Sequence, residues 1–277
     1  MIVWRAQALL VALAASTVSA VADERLDFCD FKPVMNEDFA NFLVSPRVLN
    51  GARWTAHTPW NGDFGDARFT DPGPDGPFAV QGGELKITAR RGADGRWRSG
   101  LLAAADASGA GTGVEYGYFE ARMRFPPGPG TWPAFWLATL KPAKDPSPGV
   151  EIDAVEYYGH ADAAFWSALH VWYKGGDKAK SRHIVHKTAV EPGSLVSGFH
   201  DYGVRVAPNE ITYYFDGRAI WRQPTPAELT RPLFPIVNLA LGSGFPIDHT
   251  PDPSVLTVKY VRVLAFDPAG RKSRCPS

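Results

Sequence analysis

Three carboxylates fall within six residues of one segment, Val150-Glu151-Ile152-Asp153-Ala154-Val155-Glu156-Tyr157-Tyr158. Its β-branched and aromatic residues are those of a strand. On a regular strand Glu151 and Asp153 share a face, whereas Glu156, an odd number of places further on, points to the other. One extra residue, a β-bulge around Ala154-Val155, corrects the parity and puts all three acids on one side. Four effective steps of about 3.3 Å then leave the two Glu backbones about 13 Å apart. Curvature and inward-leaning side chains bring such carboxyls toward the ~5–5.5 Å at which a glycosidic bond is cleaved with retention. In that chemistry one Glu attacks the anomeric carbon; the other protonates the leaving oxygen and later activates water. Asp153, between them, can hydrogen-bond one Glu and set its protonation. Three close carboxylates do not all ionise cheaply, so a proton is shared and one apparent pKa rises. The spacing alone also admits a solvated acidic face over buried Ile152, Ala154 and Val155, or a calcium site of carboxylate oxygens.

Such acids need sheets to hold them. Among 277 residues are 27 Gly, 24 Pro, 9 Trp, 9 Tyr and 16 Phe, a composition of strands and turns. Residues 83–90 alternate Leu85, Ile87 and Ala89 against polar neighbours. Residues 116–125 set Phe119, Ala121, Met123 and Phe125 on one face and Tyr118, Glu120, Arg122 and Arg124 on the other. Residues 211–215 and 218–221 flank Asp216-Gly217 and read as a hairpin with a type I′ turn. Leu233–Leu241 and residues 255–266 are further strands, and only 226–229 suggest a turn of helix. The expectation is an all-β sandwich of two antiparallel sheets, with a closed barrel the lesser choice. Residues 23–277 are expected to form one domain. Within it, residues 55–77 predict a long surface loop. There Trp60 and Phe64 either cover one end of a cleft or pack as the loop's own small core.

Residues 1–22 read as a signal peptide: Arg5, the apolar run AQALLVALAA, then Ala20-Val21-Ala22 or Val18-Ser19-Ala20 at the cleavage point. The run is too short to span a bilayer. The chain is therefore expected to be secreted or periplasmic, with no membrane association after cleavage. Cys29 and Cys275 are its cysteines. In an oxidising compartment a bridge between them would tie the termini together, worth roughly 5 kcal/mol in the chain-entropy picture; two unpaired thiols are the alternative. Lys and Arg number 29, and Asp and Glu 29. This balance argues against a nucleic-acid partner and, more weakly, against a heavily sulfated polymer, although a local basic groove is compatible with it.

The segment VEIDAVEYYGH, preceded by YGYFEARMRFPPGPGTWPAFWLAT, resembles the active-site region of glycoside hydrolase family 16. The likeness continues through FHDYGVRVAPNEITYYFDGRAIW, PLFPIVNLALGSGFPID and VLTVKYVRVLAF, with SGLLAA and GGELKITAR upstream, over most of residues 35–267. The resemblance implies a β-jelly-roll with a concave substrate cleft, Glu151 as nucleophile, Asp153 as assisting carboxylate and Glu156 as general acid/base. E-x-D-x-x-E is similar to the family's bulged, laminarinase-like branch, which makes lichenase and xyloglucan activities less expected. Trp132 and Trp136, four apart on one strand face, would line the cleft, where indole faces stack on sugars. His170 and Asn238 match cleft positions of the family, His170 beside the acids. The family often carries a structural calcium, and Glu37 and Asp267 sit where ligands for it would arise; no cofactor is otherwise expected.

Other motifs fail. There is no G-x-S-x-G elbow, and GAGTG at 109–113 lacks the third glycine of a dinucleotide site and precedes a strand. The expected function is a secreted, monomeric, retaining endo-β-glycosidase that hydrolyses internal linkages of a neutral polysaccharide, β-1,3-glucan first. Its alternatives are a transglycosylase on the same scaffold and a non-catalytic carbohydrate-binding jelly roll.

Overall fold

The computed structural model describes residues 26–60 and 62–275, and the leader expected over 1–22 lies outside them. The described residues form two packed sheets of ten and eight strands. Pairing is antiparallel except for two two-residue parallel contacts, Val44–Ser45 with Trp54–Thr55 and Arg68–Phe69 with part of Trp97–Ser99. The smaller sheet carries the acids. From one edge its strands run Arg182–Ala189, Ala164–Trp172, Gly149–Glu156, Thr131–Thr139 and Leu233–Leu241, each paired with the next. The larger sheet is centred on Gly117–Arg124 and Ser254–Phe266. Between them lies the main core, where Phe119, Ala121, Met123 and Phe125 of one layer pack with Phe135, Leu137, Ile152 and Ala154 of the other. The alternation expected for 116–125 produces that inner face.

Its outer face departs from expectation. Tyr118 and Glu120 are buried, because the chain ends fold back over this sheet. Phe31, Tyr118, Tyr214 and Leu264 make a small second core there. The Cys29–Cys275 disulfide closes the layer, with Arg271 on Asp27 and Asp30 at 2.6 and 2.7 Å. Periodicity within one strand carries no information about a distant segment that covers it. The hairpin closes at Asp216 and Gly217 with φ of 48° and 74°, the paired positive angles of a type I′ turn. Residues 226–229 make a turn closed by Leu229 N–H on Pro226 O rather than a helix.

A third apolar cluster sits on the far side of the eight-stranded sheet. Phe69, Leu101, Ala134, Trp136, Phe234 and Ala240 pack there, with Phe64 and Trp132 against them. The 55–77 loop thus roofs one half of the sheet face and leaves the other half open as a cleft. No helix among the described residues is long and apolar enough to cross a membrane.

Candidate active site

The bulge is where parity demanded it. Asp153 pairs with Ala168, yet Glu156 pairs with Trp166, so three steps on the acid strand match two on its neighbour. On the other side Val155 and Asp153 face consecutive residues, Phe135 and Trp136. Ala154 and Val155 consequently both enter the core, while Glu151, Asp153 and Glu156 line one cavity. Ser167, fully buried, donates its hydroxyl to Ala154 O at 2.9 Å, which satisfies a carbonyl inside the irregularity.

Each acid has its own surroundings. Glu156 Oε1 accepts from Trp132 Nε1 at 3.0 Å and Tyr158 Oη at 3.2 Å. Glu151 Oε2 accepts from Trp172 Nε1 at 3.1 Å. Asp153, 5% exposed, has one oxygen without a hydrogen-bond donor. That oxygen lies 3.2 Å from His170 Nε2, close enough for charge attraction but outside hydrogen-bond geometry, and Glu151 Oε1 is 3.9 Å from the same nitrogen. His170 stacks on Trp172 with rings 5.1 Å apart and nearly parallel. Burial first, and Asp153 second, push Glu151 up to about 8. Burial and then Glu156 raise Asp153 well above the carboxylate range. Burial raises Glu156 too, against the opposing bonds from Trp132 and Tyr158. Burial and mutual repulsion thus favour the protonated forms within the cluster, the direction a general acid needs.

The cavity over the acids measures about 210 Å³ and is walled by Trp60, Phe64, Trp132 and Trp136. It adjoins a second recess of about 300 Å³, which shares Trp60 and Glu151 and adds Trp172, Phe234, Lys141 and Lys174. Trp60 and Phe64 do cover the cleft. Phe64 meets Trp132 and Trp136 edge-on at 5.4 and 6.0 Å, so it is also the loop's own packing. Asn238 is fully buried: its Oδ1 accepts from Trp136 Nε1 at 2.7 Å and its Nδ2 donates to Trp132 O at 3.4 Å. Its amide ties the two tryptophans together within the cavity that also holds the three acids.

Sequence reasoning passed over Trp172, Tyr158 and the two lysines. Trp172 is two places from His170 and Tyr158 two from Glu156, so strand alternation could have flagged both. The lysines had no local signal. As for calcium, Glu37 accepts from Phe39 N–H, Arg53 and Trp54, and Asp267 pairs with Arg274. Carboxylates matched with guanidinium groups do not fit a calcium cage. Among the described residues the one group able to hold a metal by proximity is Glu151, Asp153 and His170, and its imidazole does not suit calcium's all-oxygen preference.

A two-sheet sandwich with a bulged triple-carboxylate strand under an aromatic-walled cleft defines a class of carbohydrate-active domain. The profile of glycosyl hydrolases family 16 matches residues 81–246, and the chain belongs to that family. It is 35% identical over 204 residues to the endo-1,3-1,4-beta-glycanase ExsH of Rhizobium meliloti and 34% identical to EglC of the same organism. Each match takes in 69% of this chain but 40% of the relative, so the chain spans well under half the length of either. Among solved structures, the laminarinase from Rhodothermus marinus superposes with a TM-score of 0.65 at 25% identity, over 85% of this chain and 98% of the other. The catalytic domain of an endo-1,3-beta-glucanase from Thermotoga petrophila has the same fold, with a TM-score of 0.66 at 20% identity, over 86% and 98%.

Proposed function

We propose that this chain is an exported, monomeric, retaining endo-β-glycosidase that hydrolyses internal linkages of a neutral glucan backbone, β-1,3-glucan first, by double displacement. The observation that carries the reading is the placing of Glu151 and Glu156 on one cleft face by the single-residue bulge. Glu151 attacks the anomeric carbon while Glu156, whose protonated form burial favours, gives its proton to the departing oxygen. Glu156 then takes a proton from the water that releases the sugar from Glu151. Asp153, between them and short of donors, takes up a shared proton and lets Glu151 ionise as the cycle demands. Trp132 and Trp172 hold the two Glu carboxylates from opposite ends. The relatives named for 1,3-1,4-β-glycanase and laminarinase activity support a β-glucan, and mixed-linkage polymers are the next substrates to try. Nothing in this chemistry calls for a metal or cofactor. The test is a panel of β-1,3-, β-1,3-1,4- and β-1,4-glucans and galactans, followed by chain length. Early oligosaccharides from a β-1,3-linked glucan are expected; binding without turnover across the panel would overturn the reading in favour of a lectin-like domain.

A further inference from the structure

The recess beyond Glu151 has a chemistry that hydrolysis of an unsubstituted glucan does not use. Its apolar walls are Pro59, Trp60, Trp172 and Phe234, and two ammonium groups, Lys141 and Lys174, complete it. Lys141 Nζ donates to the carbonyls of Ser147 and, at 3.2 Å, Pro148, with Ser147 Oγ at 3.5 Å. Lys174 Nζ donates to Ala143 O at 3.2 Å and Asp145 O at 3.4 Å. Carbonyl oxygens fix where these cations sit but do not neutralise them. The acid on the same loop, Asp145, is taken by Arg231 at 2.8 Å. Among the described residues neither lysine has a carboxylate ion-pair partner. Burial first and the neighbouring charge of Lys174 second depress the Lys141 pKa, against the opposing attraction of Asp145.

We infer that this recess is a subsite for an anionic substituent, such as a carboxylate, carried by a sugar seated beside Glu151. The inference rests on the glycosidase reading above and refines its substrate: a neutral β-glucan backbone bearing sparse acidic groups. An anion there would meet the charge of two ammonium groups and the N–H that Lys174, donating to two carbonyls, keeps free, and charge complementarity of this kind acts chiefly as specificity. The near-zero net charge of the chain is compatible with a local pair of cations.

The experiment compares kcat/KM on two derivatives of one β-1,3-glucan at equal low substitution, carboxymethyl and uncharged hydroxyethyl. The wild type is expected to favour the carboxymethyl polymer by about tenfold, mostly through KM, with the preference shrinking in 0.5 M salt. Lys174→Gln should bring the ratio near one and Lys174→Arg should keep it. A sulfated sample tells whether the site prefers carboxylate or sulfate. Cleavage of the hydroxyethyl polymer with no charged preference, or a ratio unmoved by Lys174→Gln, overturns the subsite and leaves the glycosidase reading standing. Failure to cut any of these polymers, derivatised or plain, overturns both.

Discussion

Each of the two sheets buries a carboxylate close to aromatic residues, and the two are treated in opposite ways. On the ten-stranded sheet Glu120, 3% exposed, accepts from Tyr118 and from Tyr260 at 2.7 Å and pairs with Arg262 at 2.7 Å. On the eight-stranded sheet Asp153 is as deeply buried, yet one oxygen has no donor and its nearest charged neighbours are two more carboxylates and His170. Glu120 is surrounded with donors, whereas Asp153 is left short of them, an arrangement that perturbed carboxylates at functional sites share. Glu228 repeats the first pattern, held down to about 2 by Arg182 and Tyr173.

The sharpest way to break this contrast is to neutralise one acid of each kind. Glu151→Gln should cost about 10⁴-fold or more in kcat with a melting temperature equal to or above wild type, because a strained acid is removed. Glu156→Ala should lose about 10²–10⁴-fold on polysaccharide and recover with azide on a substrate bearing a good leaving group. Wild-type activity should follow a bell in pH whose upper limb disappears in Glu156→Gln; azide without effect or an unchanged limb would contradict its acid/base role. Glu120→Ala should do the reverse of Glu151→Gln. It strands Arg262 and the Tyr118 hydroxyl, Tyr260 keeping its bond to Asp201, and should lower stability by about 3 kcal/mol in urea unfolding, while the activity of the folded fraction persists.

Two smaller effects refine the picture. Glu151 is raised from 4.5 to about 8, so the folded state binds its proton more tightly than the unfolded chain does. Its contribution to stability is fully present below about pH 4.5 and is lost as pH rises through about 8, on the order of 5 kcal/mol at most. Thermal melts from pH 5 to 9 should fall more steeply for wild type than for Glu151→Gln. Trp172→Phe keeps the ring and removes the bond to Glu151, which predicts a few-fold loss in kcat, about 1 kcal/mol.

The acid strand could be read so far from sequence because its information is local: three acids, the wrong parity, and one inserted residue to repair it. The inner faces and the type I′ hairpin were legible for the same reason. What stayed hidden depends on segments far apart in the chain. Tyr118 and Glu120 look like an exposed face until the terminal segments cover them. Nothing local to Asn238 says that its amide oxygen accepts from Trp136, 102 residues away. Lys141 and Lys174 look like ordinary surface charges until the loop geometry turns both toward one recess.

The most direct test of the central claim is the stereochemistry of the first product. Purified wild type and Glu151→Gln would be mixed with the preferred glucan and the anomeric protons followed by NMR before mutarotation. The account predicts β-anomers first from internal cuts by the wild type and none from the variant. An initial α-anomer, or undiminished cleavage by Glu151→Gln, would contradict a covalent intermediate on Glu151.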